Sequence, residues 1–123
     1  MKFNVTSWFE IYVDDMSRAK KFYEVVFATT LERIEHPELD YWMFPYQSGA
    51  EGAGGAIVKM DGVSPGVGGT LIYFQCDDCA VEENRVSQNG GEVIKGKFSL
   101  GPNGFASIVK DTEGNVIGLH SMK

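Results

Sequence analysis

The segment Trp8–Phe27 reads WFEIYVDDMSRAKKFYEVVF, and its hydrophobic period changes in the middle. Side chains alternate along a strand, so Trp8–Val13 has two faces. Phe9, Ile11 and Val13 make one purely apolar face. Trp8, Glu10 and Tyr12 make the other, aromatic with a carboxylate at its centre. After Asp14-Asp15, Ala19, Phe22, Tyr23, Val26 and Phe27 fall on one helical stripe, with Ser17, Arg18, Lys20 and Lys21 on the wet side. Asp15 is placed to cap that helix. Three short strand candidates follow, Thr30–Glu35, Asp40–Pro45 and Gly55–Met60. Turn-like segments at His36–Glu38 and Gln47–Gly54 separate them.

After the Gly- and Pro-rich loop Asp61–Gly69 the plan restarts. Leu71–Cys76 is strand-like and again meets a pair of aspartates, Asp77-Asp78. Cys79–Gln88 reads as a weaker helix closed by Asn89-Gly90-Gly91. Strands at Glu92–Phe98, Phe105–Lys110 and Val116–Ser121 come next, with a tight turn before the last. A shift of 63 residues carries Asp14 onto Asp77, Trp8 onto Leu71 and Gly55 onto Gly118. The order is therefore βαβββ twice: module one at about 1–61, a linker at about 62–69 and module two at about 70–123. In the second leading strand Ile72, Phe74 and Cys76 take the helix side, while Leu71, Tyr73 and Gln75 take the other. The expected fold is α+β, with helices on one face of a curved mixed sheet. An aromatic surface with a few polar groups is expected on its opposite face, the usual form of a small-molecule site.

Composition narrows the function classes. The chain has 123 residues, 43% hydrophobic, and a formal net charge of −6. That acidity disfavours a phosphate backbone, so no nucleic-acid partner is expected. No apolar run is long enough to span a bilayer and no secretory pattern opens the chain, so the expectation is a cytoplasmic protein without a membrane partner. Cys76 and Cys79 enclose two aspartates, which oppose the low thiol pKa of a redox pair, and two thiols alone do not make a zinc site. They read as a strand end and a helix start. Gly52–Gly55 lacks the Lys-Ser/Thr of a phosphate loop and reads as a turn whose small residues leave room in the cavity. His36, before Pro37, reads as exposed.

VDDMSRAKKFY at Val13–Tyr23, NGGEV at Asn89–Val93 and DTEGNVIGL at Asp111–Leu119, set in this doubled plan, resemble the vicinal oxygen chelate superfamily. That superfamily includes glyoxalase I, bleomycin resistance proteins and extradiol dioxygenases. Trp8–Ile11 and the ending Gly118–Ser121 are most similar to the branch related to lactoylglutathione lyase. One departure is Phe27-Ala28, where the family usually has Leu-Gly. The resemblance implies a single glyoxalase-like domain, a sheet around a cavity and a homodimer. The metalloenzymes of that superfamily hold a divalent metal with His or Glu at four strand positions, two per module. Here those positions fall on Trp8, Gly55, Leu71 and Gly118, none of which offers a side-chain ligand. A slip of two residues in module one would put Glu10 at a ligand position instead.

His120 lies two residues past Gly118 and so should share the pocket with Glu10. Three readings stand for this pair. They orient a ligand or act as acid and base; they join an atypical divalent metal with Gln75 or Tyr73; or they are structural. Trp8, Tyr12, Trp42, Phe44 and Tyr73 are the expected stacking residues, with Gln75 beside them. Two functions follow. The first is a protein that binds a small aromatic or oxygenated molecule with no cofactor. The second is a lyase or isomerase using Glu10 and His120 as acid–base residues, or an atypical metal.

Overall fold

A computed structural model describes residues 4, 6–68 and 70–123; the last residue of the expected linker, Gly69, lies outside them. The elements are β1 (Trp8–Tyr12), α1 (Met16–Val26), β2 (Glu32–Ile34), β3 (Asp40–Met43), β4 (Gly54–Lys59), β5 (Tyr73–Gln75), α2 (Cys79–Gln88), β6 (Glu92–Ser99), β7 (Phe105–Lys110) and β8 (Val116–Ser121). A single 3-10 turn at Gly101–Asn103 precedes β7. The doubled βαβββ order stands. Each module closes its own four-stranded mixed sheet, β1-β4-β3-β2 and β5-β8-β7-β6, so there are two sheets where one curved sheet was expected. In each, the leading strand pairs in parallel with the last strand and leaves its other edge unpaired by strands.

Both helices begin where the aspartates predict. Asp15 accepts the Arg18 N–H at 3.1 Å, and Asp78 accepts the Ala80 N–H at 3.0 Å. The α1 stripe buries Ala19, Phe22, Tyr23 and Val26 against Ile11, Val13 and Ile57. The same cluster takes in Val86, Val109, Ile117 and Leu119 from module two, so one core serves both modules. Phe9, Phe27 and Phe44 pack with Tyr23 and Phe74, which ties the leading strand of module two to module one.

Polar contacts reinforce that seam at the β7–β8 turn. Glu113, its side chain fully buried, accepts the Asp14 and Asp15 N–H groups at 3.1 and 2.8 Å. It also pairs bidentately with Arg18 at 2.7 and 2.9 Å. Burial by itself would raise the Glu113 carboxyl; Arg18, the Asp15 N–H and the Thr112 hydroxyl outweigh it and hold the group down to about 2. Nearby, Tyr23 donates to Asp111 at 2.7 Å and Asn115 donates to the Tyr12 carbonyl at 2.8 Å.

Candidate functional site

The unpaired edges of β1 and β5 bound a cleft of about 790 Å³. Trp8 and Glu10 line it from β1, Tyr73 and Gln75 from β5, and Leu71 from the segment before β5. Phe9, Phe44 and Phe74 line it from the core, and the segment 51–55 completes it. The alternation read from sequence holds on both leading strands: Ile11 is buried while Trp8, Glu10, Tyr73 and Gln75 are exposed.

Glycine explains how bare aromatic rings lie on a sheet. Trp8 pairs with Gly54, and Tyr73 with Gly118. A methyl group at Gly54 would meet the Trp8 indole and the Tyr46 ring; one at Gly118 would meet the Tyr73 ring. Gly52, in the left-handed region at φ +87°, brings its loop against Gln75. There a Cβ would stand 2.8 Å from the Gln75 amide nitrogen. The small residues of this loop line the cleft, and the room they leave is taken by the side chains of Trp8, Phe9, Tyr46 and Gln75.

The carboxylate in mid-strand now has partners. Tyr12 donates its hydroxyl to Glu10 Oε1 at 2.7 Å, and Tyr41 donates to Oε2 at 2.8 Å. The Trp8 indole N–H donates to the Tyr41 oxygen at 2.8 Å. The Glu10 hydrogen bond raises the Tyr12 phenol, with burial adding to it. Partial burial, then Glu10, raises the Tyr41 phenol. Both stay protonated donors at neutral pH, and the chain Trp8–Tyr41–Glu10–Tyr12 fixes the indole and the carboxylate together. Glu10 also lines a second cavity of about 230 Å³ beside the cleft; Tyr12, expected among the stacking residues, lines that second cavity and not the cleft.

Three expectations change. Trp42 does not reach the cleft. In β3 it pairs with Ile57, on the helix side, where Lys20 Nζ sits 4.7 Å from its ring centre and Asp40 takes its N–H at 3.0 Å. The residue that does face Glu10 is its neighbour Tyr41, paired with Val58. Tyr41–Phe44 is aromatic or apolar on both faces, so alternation does not choose between them. Phe44 shares the parity of Trp42 but does line the cleft, from the core side beside Phe9 and Phe74. Glu51 lies on a loop without periodicity and was equally hidden.

Second, Gly55 lies on the Phe9 face of the sheet rather than on the face of Trp8 and Glu10, although it lines the cleft from there. It pairs with Phe9 and is buried under that ring. The last strands superpose with a shift of 62 residues rather than 63, because the Val13 N–H bonds the Val58 carbonyl as the Cys76 N–H bonds that of His120. Ala56 is therefore the partner position of Gly118. The four family positions then carry an indole, a methyl, an isobutyl group and no side chain, with Tyr73 lying over the last. These residues do not fit a divalent cation. Among the described residues no three His, Cys, Asp or Glu side chains converge as a metal group.

Third, Glu10 and His120 are not joined. The imidazole does share a sheet face with Gln75, its partner in register, but its Nε2 lies 2.8 Å from the Asn103 carbonyl, and His120 does not line the cleft. His36 is exposed as expected, and its Nδ1 accepts the N–H groups of Glu38 and Leu39 at 3.1 Å.

Comparison with solved structures places this architecture. TnmS3, an antibiotic binding protein from Streptomyces sp. CB03234, is 24% identical, with TM-score 0.68 over 98% of each chain. A glyoxalase/bleomycin resistance protein from the same organism is 25% identical, with TM-score 0.68 over 94% of this chain and 98% of that one. A glyoxalase I mutant from Zea mays is 17% identical with TM-score 0.71; 94% of this chain matches 46% of that one. Comparison with curated protein sequences returns no significant match. Residues 6–119 match the Glyoxalase/Bleomycin resistance protein/Dioxygenase superfamily, and the chain belongs to that family.

Proposed function

We propose that this protein binds a small aromatic or oxygenated molecule in the β1–β5 cleft without the metal used by the chelating members of its family. The observation that carries the reading is the cleft itself: aromatic walls and a fixed carboxylate, in a volume suited to a small ligand. The antibiotic-binding relative of similar length is consistent with it. The separate hydrogen bonds of Glu10 and His120 weigh against an acid–base pair, and the donor-poor strand positions weigh against a metal.

A homodimer belongs to the same proposal. Trp8, Ile34, Leu71 and Tyr73 are all at least a third exposed on the sheet faces turned away from the helices, an arrangement that a second copy would cover.

The test is calorimetric titration of chelator-stripped protein with nickel, zinc, manganese and iron(II), followed by a screen of aromatic ligands. The expected result is no metal bound tighter than about 100 μM, roughly −5.5 kcal/mol, and saturable binding of aromatic ligands that weakens in Trp8→Ala. Stoichiometric tight metal binding lost in Glu10→Gln would transfer the lead to the metal-dependent lyase or isomerase.

A further inference from the structure

We infer that the ligand of this cleft is an organic cation, an ammonium or guanidinium carried on a planar apolar body. The inference rests on the binding reading above and adds the charge. Two carboxylates line the cleft, Glu10 and Glu51, and both residues are exposed. No Lys, Arg or His is among the described lining residues. The described cations that make close contacts make them elsewhere. Arg18 is taken by Glu113 and Lys97 by Asp78; Lys20 lies over Trp42, and Arg85 donates to the Val26 carbonyl.

Glu10 has no ion-pair partner among the described residues; its only close partners are the Tyr12 and Tyr41 hydroxyls. Each bond uses one lone pair of one oxygen, and each oxygen keeps another free to accept. Neutral O–H donors hold the carboxylate in place without cancelling its charge. Trp8 stands two residues away on the same strand face, its indole held by Tyr41, and Tyr73 lines the cleft from β5. A cation seated against these rings gains the attraction of their π faces together with the carboxylate. An anion would meet Glu10 and Glu51 and a chain of formal charge −6.

The test uses three anthracenes: 9-anthrylmethyl-trimethylammonium, its neutral carbon isostere 9-neopentylanthracene, which matches it in shape, and the smaller anion anthracene-9-carboxylate. Each is titrated with the intact protein at low salt and followed by the fluorescence anisotropy of the anthracene. The cation is expected to bind roughly tenfold tighter than the neutral isostere, and the carboxylate weakest. The cation's advantage should shrink in Glu10→Gln and as salt is added. Equal affinity of cation and neutral isostere would overturn the inference and leave the binding reading intact. Failure of all three to bind would remove the binding reading, and this inference with it.

Discussion

Glu10 can stand in the middle of an aromatic strand because each of its oxygens accepts a phenolic hydroxyl. Half of that arrangement is visible in the sequence, since Tyr12 lies two residues on and must share the face. The other half is not, because Tyr41 comes from β3, whose two faces look alike. The cysteines show the reverse. Their flanking aspartates argue against reactivity, and the fold agrees: Cys79 is buried, and burial followed by the nearby Glu82 carboxylate pushes the Cys76 thiol up to about 12. At neutral pH almost no Cys76 is thiolate, so alkylation of the native protein by iodoacetamide should be slow. Mass spectrometry should find both cysteines unmodified in the folded protein and both labelled rapidly in urea. Rapid native labelling of Cys76 would show that the thiol is neither buried nor repelled as the fold describes.

Elements follow the sequence where one face is apolar and the other wet. α1, α2, β7 and β8 lie where period and punctuation put them. The expectations that changed have two separate causes. A strand apolar on both sides carries no parity signal, so Trp42 was placed with the cleft. A one-residue change in the spacing between modules moved the family position from Ala56 to Gly55. The end of α1 shows a residue choice with an energetic consequence. Where the family usually has glycine, Ala28 adopts φ +50°, the one non-glycine with positive φ among the described residues, and its side chain is exposed. An L-residue pays about 1–2 kcal/mol in that region, and Gly returns about 0.4–1 kcal/mol of that through greater unfolded-state freedom. Ala28→Gly should therefore stabilise the protein by about 0.5–1 kcal/mol, read as a higher urea midpoint at unchanged slope. A lower midpoint would mean that the alanine is not strained there.

The whole molecule depends on how two modules with separate sheets hold one cleft between them. The apolar seam of Tyr23, Phe44 and Phe74 supplies attraction without direction; direction comes from the β7–β8 turn. There Glu113 grips the start of α1 through two backbone N–H groups and Arg18, where the helix's own partial charge favours an anion. The turn Asp-Thr-Glu-Gly-Asn could be read as a turn, but not as a clasp, since its partners lie about a hundred residues away in sequence. Glu113→Gln would place an amide against backbone donors and Arg18, while the half-exposed Arg18 stays hydrated, so a loss of about 2–3 kcal/mol is expected. The sign of the pH dependence is set by the depressed carboxyl. Between its usual 4.5 and about 2 in the fold, the unfolded chain binds the proton and the folded one does not, so the clasp's contribution is complete above 4.5 and drains away as the pH falls towards 2. Urea midpoints measured at neutral pH and down through this window should fall steeply for the natural protein and more shallowly for Glu113→Gln, starting lower. Parallel curves would mean that the acid sensitivity arises from other carboxylates and that the modules are held by the aromatic seam alone.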